Sequence, residues 1–245
     1  MYKGVLDDEK VVVVKRLDGV LQGDVEFWVE ASVIRNINQR NLVKLWGFCA
    51  DNQHKLLVYE YLENGSLDKI LFSDAELGLE QRYKIALGIA KDDQLEPKVA
   101  DFGMSKLFTD IYGIKDMQRR RFSKAWGTRG YMALEWMMNL KIDAKADVYN
   151  YGIVLLELLS GKSASILIST LAKEYNECNQ LVQYVTEKIQ IEGLEKVINP
   201  KLLCEYKKKK LEGLMKVTLL CVQEDRNARP TMSKVVELLL DNDHE

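Results

Sequence analysis

A chain of 245 residues, 47% hydrophobic and 29% charged, has a folded globular composition and can bury a sizeable core as one large domain or two small lobes. A net charge of -2 and an isoelectric point near 5.9 give no global attraction for nucleic acid or an anionic membrane, so any phosphate it binds must be held locally. Cys49, Cys178, Cys204 and Cys221 form no C-x-x-C pair and have no companion histidines, which argues against a zinc site or disulfide framework and for a reducing, cytosolic compartment. The longest apolar candidate, Tyr151 to Leu159, is broken by Glu157 and falls short of the ~20 residues a bilayer requires. Residues 1 to 20 are strand-like and charged, without the apolar core of a signal peptide.

In chain order, Val11 to Val14 is a β-branched run followed by Lys15-Arg16, which reads as a buried strand. Asp24 to Ile37 sets Phe27, Val33, Ile34 and Ile37 at helical spacing. Leu42 to Cys49 and Leu56 to Tyr61 read as strands around a polar turn at Asp51-Asn52-Gln53. Beyond Ser66, an expected N-cap after the Asn64-Gly65 turn, the character becomes helical. Helices are predicted over Leu79 to Lys91, Ala144 to Ser160 with Gly161 as the stop, Asn179 to Ile191, Lys210 to Val222, and Pro230 to Leu240 with its proline in the first turn. Lys98 to Ala100 is a scrap of strand leading into Asp101. The fold class is therefore α+β: a small β lobe with one helix over residues 1–62 and a mainly helical lobe over 63–245. The basic runs Lys207 to Lys210 and Arg119 to Arg121 read as solvated faces.

A lone lysine ending an apolar strand is ordinarily a solvated strand end, and Asp101-Phe102-Gly103 alone is a serviceable turn. Their order carries more: Lys15, then Glu30 on a helix, two strands, Asp101-Phe102-Gly103, and GTRGYMALEW over residues 127–136. Lys15 can neutralise phosphate oxygens, Glu30 can hold that cation in place, and Asp101 can take a magnesium ion. The segments YKGVLDDEKVVVVKRL, EFWVEASVIRNINQRNLVKLWGFC, KLLVYEYLENGSLDKIL, KVADFGMSKLF, GTRGYMALEW, KADVYNYGIVLLELLSGK and CVQEDRNARPTMSKVVELL resemble plant receptor-like serine/threonine protein kinases of the S-domain, or G-type lectin, group, over nearly the whole chain.

The resemblance implies a two-lobed kinase fold on the cytoplasmic side of a membrane, ATP and Mg2+ as cofactors, and protein substrates or partners in receptor signalling. It makes Glu60, Tyr61 and Leu62 the hinge that meets adenine, with Tyr59 just before it. Val13 takes the strand position that lies against the base. Glu135 and Arg229 become the ion pair anchoring the end of the activation segment, and Asp147 the brace beneath the catalytic loop. Thr128 faces that loop, and Ser105, Thr109, Ser123 and Thr128 are the hydroxyls available for phosphorylation.

Departures from the pattern decide the expected activity. Such kinases carry a loop H-R-D-x-x-x-x-N, whose Asp accepts the substrate hydroxyl proton and whose Asn holds a second metal ion. The only histidines are His54 and His244, and no aspartate is followed five positions later by asparagine. The loop belongs between the Leu79 to Lys91 helix and Asp101, where Lys91 runs directly into Asp92-Asp93-Gln94 and only residues 92–100 intervene. No G-x-G occurs anywhere, so the glycine-rich phosphate lid is also missing from the sequence. Val13 replaces the usual alanine, and overpacking of such a slot costs about 1–3 kcal/mol; Leu134 replacing the proline of A-P-E is milder. The reading is a kinase-family domain that is inactive or severely impaired as written, with ATP binding weak or lost. The alternatives are a pseudokinase module regulating an intact receptor kinase, and a truncated product without function.

Overall fold

The computed structural model describes residues 1–17, 27, 28, 30, 31, 43–51, 54–73, 77–91, 131, 133, 135, 142–167, 181–203 and 208–242. They fall into two compact units, Met1–Gly65 in the first, and Ser66–Lys91 with the described residues from Tyr131 onward in the second.

The first unit is built on a four-stranded antiparallel sheet ordered β1-β2-β4-β3, with β1 Tyr2–Val5, β2 Val11–Arg16, β3 Leu45–Ala50 and β4 Lys55–Glu60. The hairpin between β1 and β2 closes through Leu6 N–H to Lys10 O and Glu9 N–H to Leu6 O, both 2.9 Å. Glu9 sits there at φ 63, the left-handed region that disfavours most side chains. β2 is the β-branched run, central in the sheet, where pleated packing favours Val. β3 reads Leu45 opposite Tyr59 and then Gly47 opposite Val58, so Trp46 is an extra residue at an irregularity. Phe27 and Ala31, both helical, pack with Val43, Leu57 and Tyr59 into a small core, flanked by Leu17, Leu45 and Leu62.

The second unit is helical: Leu67–Leu71, Leu79–Lys91, Ala144–Ser160, Leu181–Glu192, Lys208–Cys221 and Met232–Asp241, with 3-10 turns at Leu194–Lys196 and Pro200–Leu202. Its core centres on the apolar Ala144–Ser160 helix, whose Ile153, Leu155, Leu158 and Leu159 are fully buried. Asp143 caps the start by accepting the Lys145 N–H. The helix stops at Gly161, as expected: φ is 66, and its N–H returns to Glu157 O at 2.8 Å. Gly152 permits the close crossing with Lys208–Cys221, since a Cβ there would lie 2.6 Å from Val222 Cγ1 and 2.7 Å from Cys221 Cβ. Buried Arg82 donates to Leu77 O at 2.8 Å and Leu158 O at 2.7 Å, and Tyr151 donates to Ala86 O at 2.9 Å. The bonds to Leu158 O and Ala86 O tie the Leu79–Lys91 helix to the central one.

Two expectations about helix starts need correction. Ser66 occupies an N-cap position but its side chain makes no capping bond. Pro230 lies ahead of the last helix rather than in its first turn, because Thr231 is the cap and accepts the Lys234 N–H at 3.3 Å. Among the described residues no helix is long and apolar enough to cross a membrane.

Candidate functional site

In the sheet unit, Lys15 and Val13 lie opposite Leu57 and Tyr59 across the β2–β4 ladder, so all four share one face. Leu57 and Tyr59 bury that face against the helical residues around Glu30. Glu30 is 1% exposed, and a carboxylate so deep requires partners for both oxygens. It has them. Lys15 Nζ donates to Oε2 at 2.9 Å, and the Tyr59 hydroxyl donates to Oε1. The Lys15 side chain keeps 15% of its exposure. The result is a cation fixed by a buried carboxylate yet reachable from outside, a donor set that fits phosphate oxygens.

The hinge candidates continue from β4. Glu60 is locked twice to Lys44, accepting its N–H at 2.8 Å on the carboxylate and donating its own N–H to Lys44 O at 2.9 Å. Tyr61 carries the Lys3 ammonium 4.2 Å from its ring centroid. Leu62 is half-buried against the Phe27 cluster and accepts the Gly65 N–H at 3.2 Å. Val13 is half-buried beside Tyr59.

Asp101, Phe102, Gly103 and Thr128 lie outside the described residues, as do Ser105, Thr109 and Ser123. Among the described residues no group of three His, Cys, Asp or Glu side chains could hold a metal ion.

In the helical unit Glu135 and Arg229 meet as a bidentate pair, NH1 to Oε1 at 2.6 Å and NH2 to Oε2 at 3.2 Å, with side chains 4% and 0% exposed. A guanidinium has five N–H donors, and here all five are used: Nε reaches Gln223 O at 2.7 Å, NH1 also Lys145 O at 2.9 Å, and NH2 also Glu224 O at 3.2 Å. The Tyr149 ring lies 5.0 Å from the guanidinium carbon. Asp147 is in the first turn of the Ala144–Ser160 helix. Surrounding protein, and secondarily the Asp143 charge, push its carboxyl above the ordinary range.

Sequence reasoning missed three contacts: the Tyr59 bond to Glu30, the Lys3–Tyr61 stack, and a buried polar group in the helical unit where Glu157 accepts from the Tyr131 hydroxyl and, at 2.7 Å, from the Ala164 N–H. Burial pushes Glu157 upward against the pull of these bonds, and burial with the Glu157 bond pushes the Tyr131 hydroxyl upward. Glu157 did announce itself, as the one charge in an apolar helical run.

Residues 87–239 match the model of the protein kinase domain family, and residues 1–95 match that of the protein tyrosine and serine/threonine kinase family. The receptor protein kinase ZmPK1 of Zea mays is 39% identical over 274 residues, covering 99% of this chain and 33% of the relative. The G-type lectin S-receptor-like serine/threonine-protein kinase SD2-5 of Arabidopsis thaliana is 36% identical over 269 residues (98% and 31%). Cysteine-rich receptor-like protein kinase 44, also of Arabidopsis thaliana, is 35% identical over 270 residues (98% and 69%). The chain thus spans about a third of the first two relatives, and each aligned span exceeds the 245 residues of the chain itself. Among solved structures, the pseudokinase domain of BIR2, an immune regulator of the RLK/Pelle family, superposes with a TM-score of 0.71 at 24% identity, covering 99% of this chain and 78% of that one. The fold is protein-kinase-like.

Proposed function

Because this chain belongs to the protein kinase family, among the receptor-like serine/threonine kinases of the S-domain group, we propose that it is a kinase-fold module that transfers no phosphate as written and acts through its surfaces on an intact receptor kinase at the cytoplasmic side of a membrane. The observation that carries this reading is the Lys91–Asp92 junction. No H-R-D-x-x-x-x-N exists in the sequence, and the two family models meet over residues 87–95, where that loop belongs. Aligned spans longer than the chain support an internal loss. The structural neighbour, a pseudokinase domain of an immune regulator, supports the reading that such a fold can act without transfer.

Lys15 held by Glu30, and Val13 with the Glu60–Leu62 hinge, would receive the phosphates and base of ATP, while Asp101 would take Mg2+. Bound ATP would supply a transferable γ-phosphoryl group. The sequence contains no catalytic-loop Asp to accept the hydroxyl proton, and general-base catalysis contributes about 10²–10⁴ in rate. Val13 crowds the base slot, so affinity is weak. Domain limits near residue 62 and a C-lobe from 63 belong to the same reading.

The test is radiolabel transfer from ATP to the chain itself and to a generic basic protein. No incorporation above that of Asp101→Ala is expected; incorporation in the parent that vanishes in Asp101→Ala would overturn the proposal. The assembled Lys15–Glu30 pair favours a second reading, an active kinase whose transcript carries the loop, and sequencing messenger RNA across the Lys91 to Asp92 codons separates the two.

A further inference from the structure

The two ends of the sheet are protected to different degrees. With strand order β1-β2-β4-β3, both β1 and β3 keep one side unpaired within the sheet. β3 is interrupted by the extra residue Trp46, an irregularity of the kind that spoils edge pairing. β1 runs unbroken along β2, from Tyr2 opposite Val14 to Val5 opposite Val11. Its side chains are largely apolar and open to solvent, Tyr2 at 62% and Val5 at 67% exposure, with Leu6 exposed next to them. Lys3 is the one charge on the strand, and charges on an edge ordinarily discourage pairing. Here its ammonium is drawn inward to the Tyr61 ring, 4.2 Å from the centroid.

Hydrogen-bond phase decides what the open side of β1 offers. Leu6 spends both backbone groups inside the hairpin, its N–H on Lys10 O and its carbonyl on the Glu9 N–H, both at 2.9 Å. Pairing alternates along an antiparallel strand, so Gly4 and Tyr2 also turn their backbone groups to β2, and the N–H and C=O of Lys3 and Val5 point outward. A second β1, related by a two-fold axis at Gly4, presents the same set. Lys3 then lies opposite Val5 of the other copy, and Val5 opposite its Lys3, which allows four backbone hydrogen bonds. Tyr2 falls opposite Leu6 of the other copy, and Gly4 faces Gly4 with no side chain in the way. The segment is complementary to itself, as an isologous contact requires.

We propose that the open side of β1 is an interface for a second copy of this chain, which joins two four-stranded sheets into one through antiparallel β1 pairing. One short strand buries less than the ~1,200 Å² at which standard interfaces begin, so the dimer is weak and reversible. It stands apart from the reading of the nucleotide site and from the absence of phosphate transfer.

The experiment is sedimentation equilibrium of the full chain over about 10 to 500 μM, the range suited to so small a contact, for the parent, Val5→Pro and Trp28→Ser. Proline at position 5 removes an outward N–H and leaves the β1–β2 ladder whole. Trp28 is an exposed aromatic that packs on Phe48 of β3, at the opposite end of the sheet. The parent and Trp28→Ser are expected to dimerise alike, and Val5→Pro to associate about tenfold or more weakly, two hydrogen bonds being lost per dimer. Disulfide trapping with oxidised glutathione checks the register. A Cβ at Gly4 would meet Val12 Cγ2 at 3.6 Å, an ordinary contact, and the two Gly4 residues form a non-hydrogen-bonded pair with Cα atoms about 4.5 Å apart, within disulfide reach. The two Tyr2 residues are separated by about 14 Å. Gly4→Cys should therefore give a covalent dimer above the level set by the parent's own cysteines, and Tyr2→Cys should not. A parent that stays monomeric throughout, association unaltered in Val5→Pro, or equal trapping of the two cysteine variants would each overturn the proposal. Should Val5→Pro melt below the parent, the cysteine pair decides.

Discussion

Two buried carboxylates, Glu30 in the sheet unit and Glu135 in the helical unit, each face one cation, yet the surroundings differ in kind. Arg229 is sealed, and its five donors are spent on Glu135 and three backbone carbonyls. Lys15 keeps part of its surface, and its carboxylate is shared with a tyrosine hydroxyl. A saturated guanidinium cross-links segments far apart in sequence, Glu135, Lys145 and Gln223–Glu224, and has nothing left to offer a ligand. A flexible ammonium, in contrast, is a compact point charge, and this one still reaches solvent. The same pairing of opposite charges therefore forms a saturated lock in one unit and, on the proposed reading, a phosphate-binding group in the other.

Breaking the lock should have the largest effect. Arg229→Met leaves Glu135 buried without its cation and three carbonyls without donors, a loss of about 3–5 kcal/mol. Chemical denaturation should show the helical unit unfolding at much lower denaturant, and an unchanged midpoint would mean that the pair is not a lock. Lys15→Met should cost less, about 1–3 kcal/mol, because Tyr59 still donates to Glu30 and solvent reaches the vacated side. A loss equal to that of Arg229→Met would erase the distinction between the two sites.

Glu157→Gln sharpens the comparison from the other side, since Glu157 is a buried carboxylate with hydrogen-bond donors but no cation among the described residues. Burial raises its pKa above 4.5, so the folded chain holds this proton more tightly than the unfolded one. Its contribution to stability is present at low pH and is lost as pH rises through the window above 4.5. Gln keeps an acceptor for Tyr131 and Ala164 and removes the charge. The variant should be at least as stable as the parent at pH 7, with a flatter dependence in that window; a loss of about 1 kcal/mol or more would show that the charge itself is required.

Much of this was legible in the chain. The β-branched run became β2, β3 and β4 flank the polar residues 51–53 in the chain, and Gly161 ends the central helix in the left-handed conformation that glycine allows. Strand β1 was harder to see, because Tyr2 and Val5 are exposed and the segment is a strand only through its pairing with β2. The last two helix starts moved for local reasons: Thr231 outcompetes Pro230 as the boundary, and Lys208 and Lys209 join a helix expected to begin at Lys210. Lys15 and Glu30 could be paired from order alone, since the family pattern sets their roles. The Tyr59 and Lys3 contacts depend on which residues face each other across the sheet, and register follows from pairing geometry that no single segment encodes. The saturation of Arg229 was equally hidden, because three of its partners are backbone carbonyls that any residue could supply.

The most direct measurement compares phosphate transfer by the chain as it stands with transfer by the same chain carrying a loop of the H-R-D-x-x-x-x-N pattern, with its following strand, inserted between Lys91 and Asp92. If the missing base and metal-holding asparagine alone separate this module from its relatives, the parent shows no transfer and the insertion creates transfer that Asp101→Ala abolishes. Transfer by the parent at a rate comparable to the insertion variant would contradict that claim.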